Sequence, residues 1–147
     1  MGYQVYASAR KSEDVEKLKQ LGLNTLQLDL DDSVSIKNAV IRLLDQTGGE
    51  LYALFNNGAY GLPGAVEDLS REALRAQFET NVFRPFELTK LILPGMRKQG
   101  SGRFIQNSAI LGFVDMPYRD AYNVSNFGLE GLTDTLRKES RRFIIQI

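Results

Sequence analysis

Short β-rich runs alternate with longer helical runs along this chain, and that alternation limits the folds open to it. Runs rich in β-branched, aromatic and other apolar residues cover residues 3–8, 25–28, 51–55, 103–107 and 143–147. The spacing of apolar residues between them predicts helices over residues 13–21, 33–45, 70–97 and 121–141. Strands alternating with helices form a parallel sheet with right-handed crossovers. The predicted fold class is therefore α/β, with a Rossmann-like, doubly wound parallel sheet.

Local signals refine this organisation. Ser33 is expected to cap the helix over residues 33–45, and Pro85 is expected to kink or split the long helix near Arg84. Gly58, Gly61 and Gly64 precede no helix directly, so they indicate a flexible loop more strongly than a phosphate-binding turn. No repeat, low-complexity tract or linker interrupts the pattern. We therefore expect residues 1–147 to form a single domain.

Composition excludes several classes of function. The 147 residues contain no His and no Cys, and 18 Lys plus Arg balance 18 Asp plus Glu. Most metal sites, thiol catalysis, disulfides and His-based triads are thereby removed, so no metal is expected. A chain without net charge or a basic stripe is a poor partner for nucleic acid or an anionic membrane. The sequence has no long apolar run and no signal peptide, which favours a soluble, cytoplasmic protein.

Polar residues follow the predicted strands at their carboxyl ends, where doubly wound sheets bind ligands. Arg10 follows the first strand and suits the 2′-phosphate of NADP, whereas an acidic residue there would suit the ribose of NAD. A solvated surface Arg explains this residue equally well. Asp29 follows the second strand and is suited to accept from an adenine amino group, or to close a turn beside Asp31 and Asp32.

The segment AYNVSNFGLEGL over residues 121–132 resembles the active-site helix of the classical short-chain dehydrogenase/reductase family. In that family a Tyr and a Lys four residues later carry out the proton transfer that accompanies hydride transfer. Tyr122 matches the Tyr, and Asn126 stands at the Lys position. A Lys one helical turn from a Tyr stabilises the phenolate, and an Asn has no charge with which to do so. The resemblance implies an acid/base role for Tyr122.

Four further segments are similar to the same family and occur in the family's order. They are Arg10 at a position that often selects NADP, Asp29-Leu30 at the adenine pair, Asn56-Asn57-Gly58-Ala59 at the Asn-Asn-Ala-Gly turn with its last two residues exchanged, and Asn81 at the helix Asn of the catalytic group. The resemblance implies a cofactor, NADP with NAD as the alternative, bound by Arg10, Asp29, Leu30, Asn57, Gly58 and Ala59. It also implies that Asn81 supports a proton-relay water. A buried Asn that bonds main chain at a helix kink is the structural alternative for Asn81.

The chain departs from the family pattern at the Ser position and at both ends. Ala109 stands where the family has its catalytic Ser, thirteen residues before the Tyr, and Ser108 is one residue early. A shift of one residue at a strand end turns a side chain to the opposite face, so Ser108 reaches a substrate carbonyl only if the backbone bulges. The family's first strand, Gly-rich turn and C-terminal part are expected to be absent. The strands at residues 3–8 and 51–55 would then have open edges.

Three functions are consistent with these residues. By resemblance, the chain is an oxidoreductase that moves hydride between NADP(H) and a small-molecule secondary alcohol or ketone, through Tyr122, Asn81 and Ser108, and is impaired by Asn126 and Ala109. The first alternative is a non-catalytic relative that associates through its two long helices, as a homo-oligomer or with an intact homologue. The second is a truncated product that has no stable fold and no activity.

Overall fold

The structure, a computed structural model, describes residues 2–147 and places them in two compact units. The first unit ends at Glu50 and the second begins at Leu51. The prediction that residues 1–147 form a single domain stays a prediction.

The first unit is a β-α-β-α segment built on two parallel strands. Its strands are β1 (Tyr6–Ala9) and β2 (Asn24–Gln27), and its helices are α1 (Ser12–Gln20) and α2 (Ser33–Thr47). Both helices pack against β2. The core consists of apolar side chains from the two helices and β2, namely Val15, Leu26, Ile36, Ala39, Val40 and Leu43. All four elements were predicted from the sequence, with boundaries shifted by at most three residues.

The cap of α2 is one residue earlier than the sequence analysis placed it. Asp32 has extended backbone angles, and its Oδ1 accepts the Val34 N–H at 2.8 Å. Ser33 is already the first helical residue. The prediction that Ser33 caps this helix is therefore wrong. The Asp32 carboxylate, one residue before the helix, accepts the hydrogen bond from the free Val34 amide.

The second unit contains a parallel sheet in the order β3-β4-β5, with three helices. The strands are β3 (Leu54–Asn56), β4 (Gly102–Gln106) and β5 (Ile145–Gln146). The helices are α3 (Arg71–Phe78), α4 (Arg84–Gln99) and α5 (Asp120–Ser140). Phe104 in β4 is the largest fully buried side chain. The parallel pairing confirms the predicted α/β class.

A single π-helical turn, Glu79–Phe83, joins α3 to α4. Pro85 lies at the start of α4 and has no N–H to donate to the carbonyl one turn earlier. The wider π turn keeps the chain helical where that hydrogen bond cannot form. The expected kink or split near Arg84 takes the form of a change of helix type, since the π turn ends at Phe83 and α4 begins at Arg84 without a gap.

Strands β1 and β3 each lie at the end of a sheet, and the prediction that they lack a neighbour present in the family stays a prediction. Within residues 2–147, β1 pairs with β2 alone and β3 pairs with β4 alone. No helix in this part of the chain is both long enough and apolar enough to cross a bilayer.

Candidate functional site

Tyr122 lies in the first turn of α5, with its ring half-buried against a glycine. A Cβ atom built on Gly61 would lie 3.3 Å from Cγ and Cδ2 of the Tyr122 ring. A side chain at position 61 would require the ring or the loop to shift by a few tenths of an ångström, so the glycine permits the observed close approach. The loop after β3 therefore forms one wall of the Tyr122 site.

Asn81 lies in the π turn and is almost completely buried, with 3% of its surface exposed. Its Oδ1 accepts the Tyr60 N–H at 3.2 Å, and its Nδ2 donates to the Tyr60 carbonyl and to Ser125 Oγ, each at 3.0 Å. Both amide hydrogens are used, so a relay water at this side chain would have to donate to Oδ1. Asn81 thus bonds the main chain of a separate loop and not carbonyls at the helix kink, and its support of a relay water stays a prediction.

The Tyr122 carbonyl receives two side-chain hydrogen bonds from its own helix. Ser125 Oγ donates to it at 2.9 Å, and Asn126 Nδ2 donates to it at 2.8 Å. Ser125 also accepts from Asn81, so it links the π turn to the turn of α5 that carries Tyr122. Ser125 was not predicted from the sequence. Its position three residues after Tyr122, on the same helix face, was the available signal.

Ser108 lies beside α5, within 3.4 Å of Asn126 Oδ1. Strand β4 has already ended at Gln106, and the Ser108 N–H bonds back to the Gln106 carbonyl at 3.0 Å. Ser108 thus lies in a three-residue turn outside the strand, so strand alternation does not determine the direction of its side chain. Gly112 lies close by, because a Cβ there would be 3.1 Å from Ser108 Oγ. A contact between Ser108 and a substrate carbonyl stays a prediction.

The candidate cofactor residues of the first unit lie where β1 and β2 end. Arg10 follows β1, and its guanidinium forms a 3.7 Å ion pair with Asp31 while remaining 61% exposed. Asp29 Oδ1 accepts the Asp31 N–H at 2.9 Å, which is the turn-closing role considered from the sequence. Leu30, the next residue, is half-buried. Among residues 2–147, no group of three or more acidic side chains is arranged to hold a metal ion.

The candidate cofactor residues of the second unit follow β3 and are exposed. They are Asn57, Gly58 and Ala59. The Asn57 side chain accepts from Asn107, which follows β4, so the two strand ends are joined. The loop that continues from Ala59 is held at Gly64, whose N–H donates to the Tyr118 carbonyl at 3.0 Å.

The fold and this cluster of side chains define a Rossmann-like α/β protein with a Tyr-centred site at the strand ends. The family described as short chain dehydrogenase matches residues 1–147. The chain belongs to this family, which confirms the resemblance read from Tyr122 and the strand-end residues.

Individual proteins support the same assignment. The uncharacterized oxidoreductase YbbO of Escherichia coli (strain K12) is 35% identical over 146 residues, which cover 99% of this chain and 54% of YbbO. A crystal structure of a short-chain dehydrogenase from Streptomyces avermitilis has a TM-score of 0.91 and 30% identity, covering 97% of this chain and 54% of that one. Actinorhodin polyketide ketoreductase with NADPH has a TM-score of 0.89 and 25% identity, covering 98% of this chain and 58% of that one. The chain thus spans about half the length of such proteins.

Proposed function

We propose that this chain serves an oxidoreductase that moves a hydride between NADP(H) and a small-molecule secondary alcohol or ketone, with Tyr122 as the acid/base group. One observation carries the proposal: hydrogen bonds connect three separate elements at the turn that bears Tyr122. They run from Asn81 in the π turn through Ser125 to the Tyr122 carbonyl, and from there through Asn126 to Ser108 at the end of β4. Such a connected set holds a reacting side chain in a fixed direction.

In the proposed reaction, Tyr122 transfers one proton. When bound, NADPH supplies the hydride that reduces a carbonyl carbon. The Tyr122 hydroxyl would donate its proton to the carbonyl oxygen, and it would take a proton back in the oxidation direction. Asn126 offers a neutral amide where a Lys would stabilise the resulting phenolate, and Ala109 offers no hydrogen bond to the substrate oxygen. With Asn126 and Ala109 at these positions, we expect the chain to catalyse the reaction slowly.

The first unit presents groups that fit a nucleotide carrying a 2′-phosphate. The Arg10–Asp31 pair is long and exposed, and such pairs contribute about 0–1 kcal/mol. A phosphate can therefore replace the Asp31 carboxylate and use the planar donors of the guanidinium. Asp29 uses one carboxylate oxygen for the Asp31 amide, and a carboxylate has lone pairs for further donors such as an adenine amino group.

Replacing Arg10 with Ala should weaken NADPH binding by about 10- to 100-fold, since a charge-assisted hydrogen bond contributes roughly 1.5–3 kcal/mol. NADH has no 2′-phosphate, so its affinity should change by less than about 2-fold. Calorimetric titration of both nucleotides measures the two effects, and Lys11→Ala, which removes the neighbouring exposed cation, is the matched control. Equal losses for NADH and NADPH would remove Arg10 from the 2′-phosphate site.

The function itself is tested by supplying the protein with NADPH and a panel of small and bulky ketones. The expected result is a slow, substrate-dependent loss of absorbance at the nicotinamide band. A protein that binds NADPH but leaves it unconsumed with every ketone would contradict the proposal of catalysis in this chain.

A second candidate function, non-catalytic association through helices, has its own observation. Large apolar side chains are exposed on α3, the π turn, α4 and α5, and they are Leu74, Phe83, Phe86, Val124 and Phe127. The helices themselves are packed together, because a Cβ on Gly128 of α5 would lie 3.6 Å from Phe78. Another copy of the chain could cover these side chains. Sedimentation velocity should then show a dimer, and a monomer at high protein concentration would reject this function.

A further inference from the structure

Gln77 is a fully buried glutamine in α3 whose amide bonds to a loop, not to its own helix. Its Oε1 accepts the Leu62 N–H at 2.8 Å, and its Nε2 donates to the Tyr60 carbonyl at 2.5 Å. One amide thus satisfies a backbone donor and a backbone acceptor two residues apart, as a neighbouring strand would. Burying this polar side chain is favourable only while both bonds exist.

Asn81 holds the same loop from the next turn of helix. Its amide bonds both the N–H and the carbonyl of Tyr60, so that carbonyl accepts from Gln77 and Asn81 together. The two amides are four residues apart in sequence and face the same loop. Among the described residues, the hydrogen bonds of Gln77 and Asn81 go to the loop and to Ser125, and none goes to the Tyr122 hydroxyl.

The loop residue between these two anchor points is Gly61, which lies against the ring of Tyr122. A Cβ there would be 3.3 Å from two ring atoms, so the backbone and the ring are in close contact. Further along, the loop is bonded to Tyr118, which adopts a left-handed conformation with φ of 60°. Non-glycine residues rarely adopt that conformation, and they keep it only where the surrounding structure enforces it. The loop is therefore held on both sides of Gly61.

We propose that Gln77 is a positioning residue for Tyr122. By fixing the backbone of Tyr60 and Leu62, it keeps Gly61 pressed on the Tyr122 ring and so fixes the direction of the hydroxyl. The effect of Gln77 on catalysis rests on the proposed function, whereas its effect on the position of the Tyr122 ring does not.

The test compares Gln77→Leu with Gln99→Leu in the full chain. Gln99 is half-buried and controls for the loss of a glutamine bond to the backbone, since its Oε1 accepts the Leu51 N–H at 3.1 Å and thus holds a different segment. In Gln77→Leu, amide hydrogen exchange at Leu62, whose N–H bonds to Gln77, should become about tenfold faster. The NMR resonances of the Tyr122 ring, assigned with Tyr122→Phe, should shift. Gln99→Leu should affect exchange at Leu51 and leave the Tyr122 ring unchanged.

A folded Gln77→Leu protein with unchanged Tyr122 ring resonances would overturn the proposal. If that variant does not fold, the Tyr122 ring resonances are measured in Gly61→Ala instead. Its methyl group should displace the ring while Gln77 and its bonds stay in place. An unmoved ring in Gly61→Ala would also overturn it. Turnover is measured as a second, independent test. In an active protein, Gln77→Leu should lower kcat by about tenfold at constant KM for NADPH. Ring shifts without any turnover would keep the positioning role and reject the proposed catalysis.

Discussion

Replacing Asn126 with Lys and Ala109 with Ser should raise the rate of NADPH-dependent ketone reduction by at least about 100-fold. A Lys at position 126 lies one helical turn from Tyr122, where its charge stabilises the phenolate left after proton transfer. A Ser at position 109 adds a hydrogen-bond donor for the developing charge on the substrate oxygen. Loss of one such donor typically costs about 2.7–4 kcal/mol in the rate step, so its gain should have a comparable effect.

The two substitutions should not act independently. Ser108 Oγ lies 3.4 Å from Asn126 Oδ1, so Asn126→Lys also changes the surroundings of the strand end where Ala109 lies. Neighbouring sites with shared partners commonly couple by about 0.5–3 kcal/mol, and the double variant should depart from the product of the single effects. Asn126→Met is the control for the Lys, because it has similar length and no charge. A rate gain in Asn126→Met would assign the effect to packing and not to charge.

Replacing Phe104 with Ala should destabilise the second unit by about 3–5 kcal/mol. Phe104 is 1% exposed, in the middle of β4, and its removal leaves a cavity beneath the helices. Whole domains have stabilities of about 5–15 kcal/mol, so this single change should remove much of the cooperative transition. Urea unfolding followed by circular dichroism measures the loss.

The neighbouring residue provides the control for Phe104. Ile105 lies on the opposite face of β4 and is 44% exposed, so Ile105→Ala should cost about 1 kcal/mol or less. Equal effects of the two substitutions would contradict the placement of the core. The wild-type transition also bears on the third function considered from the sequence, since cooperative unfolding would exclude a product without a stable fold.

Much of the fold was predictable from the sequence because it depends on local patterns. The alternation of strands and helices placed every named strand and long helix, and Pro85 indicated an irregularity of the long helix near Arg84. The π turn was not predictable, because a proline shows where a helical hydrogen bond is missing but not how the backbone accommodates it. The cap of α2 was misplaced by one residue because both Asp32 and Ser33 are good capping residues.

Only those residues of the candidate site that occupy motif positions were predictable from the sequence. Tyr122, Asn81 and Asn126 were identified by their resemblance to family motif positions, and hydrogen bonds connect them in the structure. Gln77 and Ser125 were missed because their roles depend on backbone groups far away in sequence, which no local pattern reveals. The orientation of Ser108 likewise depends on a turn that begins only where β4 ends.

The most direct test of the central claim is the turnover of the Ala109→Ser, Asn126→Lys protein with and without the Tyr122 hydroxyl. Adding Tyr122→Phe should lower NADPH-dependent ketone reduction by about 100-fold or more, while NADPH binding is retained. Tyr60→Phe, which removes an exposed hydroxyl from the adjacent loop, should leave the rate unchanged. Undiminished reduction in the Tyr122→Phe protein would contradict the claim that this site performs the family's proton transfer.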